Sequence, residues 1–326
     1  MKSIKVLLAA LLAASTLLTF SACGDKKENA DTAPDATTPV EETEAPEEEN
    51  KGFEVTTATS GDFEISILGA ETVDCLGDAK GIRIYYQVKN NASYNIKAVD
   101  DLEFIATQNG ESLDGGIAKG TDVPEDTIDE RYIRPGVTLR AASVRELNDE
   151  TTAVKFSVGD YNSEDKVEAE FDLANLPGAP TDTLEIVPVT EGFQVEGLAT
   201  EGTLDEKYAV SITGVEKTTD RSGNDAIVVH YSFTNNSDKA TRFTSAVKAK
   251  VFQDGYQLKD ASPQDLQSEG YKNKSTDCEV GQTLNVDCYY VLISTSPCEV
   301  EVADGHMTMS TDEYFEERLG LVFNVA

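Results

Sequence analysis

Short stretches of the chain alternate between apolar and polar residues, which is typical of strands with one buried face. Ile82, Ile84, Tyr86 and Val88 follow this pattern in residues 82–88. Because successive side chains of a strand point to opposite faces, the spacing predicts a half-buried antiparallel strand. Similar runs predict strands at residues 139–147, 154–158, 167–173, 227–233, 284–294, 300–303 and 319–325, with room for a short helix at 311–319.

The pattern occurs twice along the chain, at a spacing of 145 residues. Residues matched at this spacing are 65–71 with 210–216, 82–91 with 227–236, 108–110 with 253–255, and 136–139 with 281–284. Before the first of these blocks, residues 52–55 match 192–195 at a spacing of 140, which places about five extra residues of the second copy near 201–206. A constant spacing over more than 70 residues indicates an internal duplication.

Both copies carry a turn signal at the same place. Asn109-Gly110 and Asp254-Gly255 each follow a strand-like run. These dipeptides favour the type I′ hairpin, because both of its central residues need a positive φ. Each copy is therefore expected to contain a two-residue β-hairpin here.

The repeat fixes the expected architecture. The copies are residues 52–173 and 192–326, and residues 174–191 form a proline-containing connector that predicts a semi-rigid joint. Six to eight short strands in each copy favour a β-sandwich. The fold class is thus predicted as all-β, with two tandem sandwiches, each with its own core and able to fold alone.

Composition narrows the possible partners. The chain has 326 residues, of which 60 are acidic and 27 basic, giving a net charge of −33. This charge argues against binding nucleic acid, which requires basic patches. No cofactor motif is present, and two histidines leave little material for a metal or nucleophile site.

The N-terminus has the form of an export signal. Lys2 and Lys5 precede an apolar run at residues 6–20, and small residues then lead to Cys23. A membrane-spanning helix is the alternative, but residues 6–22 are at the short limit for a bilayer and no basic stop-transfer cluster follows.

Phe20-Ser21-Ala22-Cys23 resembles the lipobox of bacterial lipoproteins, in which leucine is usual at the Phe20 position. The resemblance implies that residues 1–22 are removed, that Cys23 carries lipid, and that the protein is anchored in the cell membrane on its extracellular face. Residues 23–51 would then hold the lipidated cysteine and an acidic linker with too few apolar side chains to fold.

A second resemblance rests on the repeated elements: the strand 82–88 running into Asn90-Asn91, the Asn-Gly hairpin, and Pro135-Gly136-Val137-Thr138-Leu139. Together with the lipobox and acidic linker, these are similar to the immunoglobulin-like domains of Gram-positive lipoproteins, namely domain-of-unknown-function family 5067, with family 4352 as a broader relative. The second copy has Val280 in place of Pro135. The resemblance implies an immunoglobulin-like sandwich and export, and it supplies no functional residues.

The remaining cysteines are Cys75, Cys278, Cys288 and Cys298. Export permits disulfides, and Cys288–Cys298 and Cys278–Cys298 are equally compatible with the sequence. Cys288 shares a strand face with Val286 and Tyr290, which favours packing as a small apolar side chain. No CxxC spacing indicates zinc.

The other candidate groups each have a structural alternative. His230 is expected at the surface of a strand and His306 in a turn, with no adjacent nucleophile. Oxygen ligands for calcium are offered by Glu125, Asp126, Asp129 and Glu130, and by Asp220 and Asp225, although neither set has EF-hand spacing. Six tyrosines would suit a contact surface if exposed, or a packing role if covered: Tyr85, Tyr94, Tyr132, Tyr256, Tyr271 and Tyr289.

These observations favour a non-enzymatic, lipid-anchored surface protein whose sandwiches bind an envelope protein or a glycan. A solute- or calcium-binding accessory lipoprotein is the alternative, and it would require a polar pocket near the connector 174–191. A hydrolase would need a carboxylate pair that the sequence does not mark.

Overall fold

The computed structural model of the chain describes residues 53–119 and 130–325. Within these residues the chain is almost entirely antiparallel β-structure, which confirms the all-β prediction. The proposed signal and the lipidated linker lie outside the described residues. No helix in the described part of the chain is long and apolar enough to cross a bilayer.

Ten strands are described in the first copy. Its strands are β1 (Thr56–Ser60), β2 (Phe63–Asp74), β3 (Lys80–Asn90), β4 (Ile96–Lys97), β5 (Leu102–Gln108), β6 (Glu111–Ser112), β7 (Tyr132–Ile133), β8 (Thr138–Glu146), β9 (Val154–Asp160) and β10 (Val167–Phe171). One turn of helix, α1 (Ala98–Asp101), precedes β5, and a 3₁₀ turn spans Leu76–Asp78.

The second copy repeats this order. Its strands are β11 (Glu201–Leu204), β12 (Tyr208–Thr219), β13 (Asp225–Asn235), β14 (Val247–Gln253), β15 (Tyr256–Gln257), β16 (Thr283–Val291), β17 (Cys298–Asp304) and β18 (Leu319–Phe323). Short helices occupy α2 (Phe243–Ala246), α3 (Glu269–Asn273) and α4 (Asp312–Glu316). The last of these lies where the sequence left room for a helix.

Each copy consists of two antiparallel sheets around an apolar core. The strand orders are β1-β2-β3-β8 and β10-β9-β5-β6 in the first copy, and β11-β12-β13-β16 in the second. Alternate residues of the long strands enter the cores, such as Ile65 and Phe156 in the first and Ile212 and Val300 in the second. Burying one such side chain stabilises the fold by about 1.5–3 kcal/mol.

The fourth sheet crosses the boundary between the copies. Its order is β18-β17-β14-β15-β7-β4, so that β15 of the second copy pairs with β7 of the first. Tyr256 on β15 is buried in the first core. The expectation of two separate cores is therefore wrong at this residue, because the hairpin of the second copy reaches into the first.

Both predicted hairpins are confirmed. The central residues all have positive φ, at 51° and 83° for Asn109 and Gly110, and at 52° and 81° for Asp254 and Gly255. The glutamine before each turn explains why the motif recurs. Gln108 donates to the carbonyls of Asp149 and Thr152 and accepts from nearby amides, and Gln253 makes the equivalent bonds in the second copy. A buried amide needs all of these partners.

Two structural details correct the alignment of the copies. Glu201 pairs with Ser211 as Thr57 pairs with Ser66, so β11 matches β1 at a spacing of 144 residues. Four of the five extra residues therefore precede β11, and the fifth lies in the turn 205–207, which has three residues where the first copy has two. A second insertion follows β17. Six residues, 161–166, separate β9 from β10, whereas fourteen residues, 305–318, separate β17 from β18.

The connector packs against both copies. Gly178 forms a bridge with Ala70 on β2, and Asp182 pairs with Arg140 on β8 at 2.8 Å. At its far end the amide of Val189 donates to Asp254. The connector is thus held by backbone and charged contacts to both copies.

Candidate functional site

The junction between the copies is built on one edge of each. The amide of Arg134 donates to the carbonyl of Gly255 at 2.9 Å, and Tyr256 pairs with Ile133. The hydroxyl of Tyr256 donates to the carbonyl of Thr138. The contact is therefore a β-augmentation supported by an aromatic side chain that enters the core of its neighbour.

A buried group of charges lies behind this edge, and we call it the junction cluster: Arg134, Glu299, Glu301, Tyr314 and Arg318. Each member is at most 8% exposed. A guanidinium nitrogen of Arg134 lies 2.8 Å from Glu301 and 3.4 Å from Glu299. Tyr314 donates to Glu301, and Arg318 lies 3.4 Å from the same carboxylate. Since only Arg134 comes from the first copy, the cluster joins the two copies electrostatically.

Neighbouring groups complete the cluster. The guanidinium of Arg134 stacks 3.7 Å above the centre of the Phe252 ring and reaches Asn95. The amide of Gln194 donates to Glu299 at 2.8 Å, and Arg318 donates to the Gln194 carbonyl. Such an arrangement is sensitive to the loss of one partner, because the charge left behind remains buried.

Burial and ion pairing act in opposite directions on the pKa of Arg134 and on the pKa of Glu299. Burial opposes the charge of Arg134, but the carboxylates of Glu301 and Glu299 outweigh it and raise the arginine pKa. Burial raises the pKa of Glu299 even though Arg134 acts against it. The pKa of Tyr314 is raised well above its ordinary range by burial and by Glu301, so its hydroxyl remains a donor.

The longer β17–β18 loop also forms one wall of a surface groove, which we call the acidic groove. Two adjoining depressions of about 800 and 390 Å³ share Asp205, Asp304, Met307 and Glu317. Glu206 and Glu316 also line the larger depression, and His306 lines the smaller. The only basic side chains along the larger depression are Lys207, which pairs with Asp205 at 2.6 Å, and Arg318 of the junction cluster.

One acidic residue of the groove, Asp304, is buried and has an unsatisfied carboxylate oxygen. Its side chain is only 6% exposed, and one carboxylate oxygen accepts from the His306 amide at 2.7 Å. The other oxygen is buried without a hydrogen-bond partner. A buried acceptor without a hydrogen-bond partner is costly, and a donor that reached it would remove that cost.

Two residues that line the groove have an uncommon backbone conformation. Asp205 and Glu206 both have positive φ, 48° and 54°, in the turn between β11 and β12. The corresponding turn of the first copy is one residue shorter and contains Gly61, which adopts a φ of 56° without a side-chain penalty. The second copy keeps two carboxylates at a turn where glycine would be less strained.

The cysteines are packing residues in this structure. All four described thiols are free, and Cys75, Cys278 and Cys298 are buried. Cys288 packs against the second core, as its strand position predicted. Burial raises the thiol pKa of Cys288 and Cys298 to about 12. These thiols are therefore poor nucleophiles.

The histidines lie where the sequence placed them, one on a strand and one in a turn. His230 on β13 is partly buried, and its Nδ1 lies 2.7 Å from Asp287 on β16. His306 is exposed and borders the acidic groove.

Only some of the predicted calcium ligands lie within the described residues. Of the first set only Glu130 is described, since residues 125, 126 and 129 lie outside the described ranges. Asp220 closes its own turn by accepting from Ser222 and Asn224, at 2.8–3.0 Å. These bonds lower its pKa. Within residues 53–119 and 130–325, no three acidic, histidine or cysteine side chains are grouped as metal ligands.

The six tyrosines do not form an exposed surface. Tyr85 and Tyr256 are buried, and the other four are partly covered. Tyr85 donates to Glu71, which also pairs with Arg83. Tyr271 and Tyr289 pack edge to face at 6.0 Å. The packing alternative therefore applies, and Tyr256 in particular serves the junction.

The residues that matter most here were not selected from the sequence. Arg134, Asp304, Tyr314 and Arg318 stand alone in the sequence and belong to no known motif. Two departures from the repeat do mark them. Arg134 corresponds to Glu279 of the second copy, and the spacing between the copies lengthens across residues 305–318. Cys23, the predicted lipidation site, lies outside the described residues.

Comparison with known proteins gives the family. A solved structure described as a "putative lipoprotein" from Staphylococcus aureus subsp. aureus NCTC 8325 is similar at 16% identity and a TM-score of 0.30, covering 38% of this chain and 96% of that one. No curated protein matches the chain. The model of the family described as a domain of unknown function, DUF5067, matches residues 38–160 and 199–304. The chain therefore belongs to the DUF5067 family, with one match in each copy.

Proposed function

We propose that the protein is a non-enzymatic binding protein of a Gram-positive cell envelope, anchored through lipid on Cys23 at the extracellular face of the membrane. Its two immunoglobulin-like sandwiches would present a binding surface to an envelope protein or glycan. The sequence supports the anchor through Phe20-Ser21-Ala22-Cys23 and the apolar run before it. Two acyl chains on one cysteine give stable membrane attachment.

The acidic groove is the surface that this proposal assigns to binding. The observation that carries it is the unpartnered, buried oxygen of Asp304 at the wall of a depression of about 800 Å³. Asp205, Glu206 and Glu317 line the same depression. A partner that presents an ammonium group, on a lysine side chain or an amino sugar, would supply both the missing donor and a complementary charge.

The junction cluster supports a presenting role for the second copy. Arg318 lines the acidic groove and also faces Glu301, 3.4 Å away. One wall of the groove is therefore part of the contact that fixes the two copies together. A preorganised wall reduces the entropy lost when a ligand binds.

Binding can be tested on the mature chain with Cys23→Ser. The probes are a lysine-rich peptide, a chitosan oligomer, its fully acetylated counterpart and calcium chloride, each titrated by calorimetry. We expect binding of an amine-bearing probe and about tenfold weaker binding by Asp304→Asn, since a lost charge-assisted bond contributes about 1.4 kcal/mol or more. Which amine-bearing probe binds decides between a protein and a glycan partner.

Glu216→Gln is the matched control, because it removes one exposed carboxylate from β12, away from the groove residues. Equal weakening by this variant would show only a general charge effect and would overturn the assignment. Binding of calcium alone would favour the accessory, ion-binding alternative. If none of the four probes bound, the assignment of binding to the acidic groove would be overturned.

The anchor is tested separately by Cys23→Ala in the producing cell. We expect the variant to be released to the medium or to remain unprocessed, because no thiol is present to take lipid. Full processing together with unchanged membrane retention would contradict lipid anchoring.

A further inference from the structure

Two connections that are longer in the second copy than in the first both line the acidic groove. The turn 205–207 contributes Asp205 and Glu206, and the loop 305–318 contributes Glu316 and Glu317. The corresponding connections of the first copy have two residues in place of three and six in place of fourteen. The lengthened connections therefore bring four acidic side chains to one depression.

The acidic groove carries more negative charge than one cation would balance. The two basic side chains of its larger depression are already engaged. Lys207 pairs with Asp205 at 2.6 Å, and Arg318 lies 3.4 Å from Glu301. Within the described residues, no ion pair engages the other acidic side chains of this depression, which are Glu206, Asp304, Glu316 and Glu317. Two ammonium groups would therefore complement the groove better than one.

Two of these acidic residues differ in position and burial. Asp304 lines both depressions, and its buried oxygen has no hydrogen-bond partner. Glu206 is exposed and, of the two depressions, lines only the larger. Its φ of 54° is retained where the shorter turn of the first copy has a glycine. An ammonium group bound at Asp304 would thus leave Glu206 available for a second one.

The remaining lining favours an aliphatic ligand over a sugar. Met307 lines both depressions, and Leu319 lines the larger. Such side chains gain from burial against methylene groups, and the flexible thioether of methionine adapts to the shape of its partner. Among the described residues, no phenylalanine, tyrosine or tryptophan lines either depression. The groove therefore offers none of these rings for a sugar to stack on.

From these features we propose that the acidic groove binds two ammonium groups at once, both carried on aliphatic chains, with one at Asp304 and the other at Glu206. The inference rests on the proposed assignment of binding to this groove and narrows its ligand to an aliphatic polycation. Two lysine side chains of an envelope protein and a free linear polyamine share this chemistry. An amino-sugar polymer carries its ammonium groups on rings and is a poorer fit.

Titration of the mature chain with Cys23→Ser, followed by NMR chemical shifts at constant ionic strength, tests the proposal. The probes are butylamine, the linear diamines from diaminopropane to diaminodecane, and magnesium chloride. We expect the best diamine to bind about tenfold more tightly than butylamine, because it adds a second charge-assisted hydrogen bond. We also expect an optimum at one chain length and weaker binding of magnesium, since the groove would hold two separate charges.

Substitutions distinguish the two positions. Asp304→Asn should weaken butylamine and the best diamine about tenfold each. Glu206→Gln should weaken the diamine about tenfold and butylamine by much less. Glu206→Gly should weaken the diamine equally with an unchanged or higher melting temperature, because glycine adopts a positive φ without strain. Glu216→Gln, at an exposed position on β12, is the matched control and should alter neither affinity.

Peptides and spermidine distinguish the two sources of this chemistry. A peptide with two lysines that binds more tightly than spermidine, and about tenfold more tightly than its variant with one lysine replaced by glutamine, would assign a protein partner. Tighter binding of spermidine would assign a free polyamine.

Two kinds of failure are separable. Butylamine binding as tightly as every diamine would overturn the two-position proposal and leave the groove as a binding site for a single ammonium group. Magnesium or a chitosan oligomer binding more tightly than every diamine would also overturn it. If no amine bound, both this proposal and the assignment of binding to the groove would be overturned.

Discussion

The same sheet face has opposite surroundings in the two copies. In the first copy the face of β5, β9 and β10 presents Ile105, Lys155 and Glu168 to solvent. In the second copy the face of β14 and β17 holds Phe252, Glu299 and Glu301, all buried. Two additions account for the difference: the edge of the preceding copy, with Arg134, and eight more residues between the last two strands.

The comparison shows how a duplicated fold acquires a specific role in one copy. The turns, the buried glutamines and the cores are repeated because every copy of the sandwich needs them to fold. Among the described residues, the acidic groove and every member of the junction cluster except Arg134 lie in the second copy, and both features use the longer β17–β18 loop. The differences between the copies, more than the similarities, therefore indicate where function lies.

Separation of the copies is the strongest way to break the comparison. Residues 52–173 and 192–326 are each expected to melt cooperatively when expressed alone, since each has two sheets and a core. The second should lose the most stability, because Glu299 and Glu301 lose the guanidinium of Arg134 that pairs with them. Calorimetry of both fragments and of the full chain measures this, and a second fragment as stable as it is in the full chain would contradict it.

Arg134→Ala should produce the largest effect of a single substitution. It leaves two buried carboxylates with reduced compensation, which costs about 3–5 kcal/mol of unfolding free energy. Glu279→Ala is the matched variant in the second copy and should change stability by less than about 0.5 kcal/mol, because its side chain is exposed. Urea unfolding of both variants checks the pair, and equal losses would refute the role given to the junction.

The paired turns provide a graded test. Gly110→Val should cost about 1–3 kcal/mol from backbone strain alone, because an added Cβ meets nothing within 4 Å. Gly255→Val should cost more, because its Cβ would lie 2.3 Å from a methyl group of Val137 in the first copy. Val137→Ala should recover part of the loss for Gly255→Val and none for Gly110→Val, as measured by a double-mutant cycle.

A smaller expected effect is a pH dependence of the unfolding free energy that arises from Glu299. Because burial raises the folded-state pKa of Glu299 above its ordinary value of 4.5, its contribution to stability is complete below that value and is lost as pH rises through the folded-state pKa. Glu299→Gln does not undergo this loss. We therefore expect the stability of the wild type relative to Glu299→Gln to fall as the pH rises above 4.5. If the unfolding free energies of the wild type and Glu299→Gln, measured with urea, changed equally with pH, burial of this carboxyl would not control its titration.

Much of the fold was predictable because its determinants are local. Alternation at Ile82–Val88 identified a strand, and two turn dipeptides located the hairpins, because both depend only on adjacent residues. The repeat then supplied the domain plan. The placement of Tyr85 was not predictable, since Arg83 and Glu71 cover a strand face that the alternation alone would leave to solvent.

The site was less predictable, because it depends on contacts between distant segments. Arg134 and Glu301 are separated by 167 positions, and nothing near either residue indicates the other. Asp304 sits in a turn that resembles an ordinary Asp-Gly turn in sequence, and its unpartnered oxygen is visible only once the neighbouring loop is in place. The two available signals were the departures from the repeat, namely Arg134 where the second copy has Glu279 and the lengthened loop at residues 305–318.

The central claim is that the junction couples the two copies energetically. Hydrogen exchange of the full chain, compared between the wild type and Arg134→Ala, tests it most directly, because it reports each strand separately. The predicted result is faster exchange in β14 and β17 of the second copy as well as in β7 of the first, although the substitution lies in the first copy alone. Faster exchange confined to the first copy, with β14 and β17 unchanged, would contradict the account.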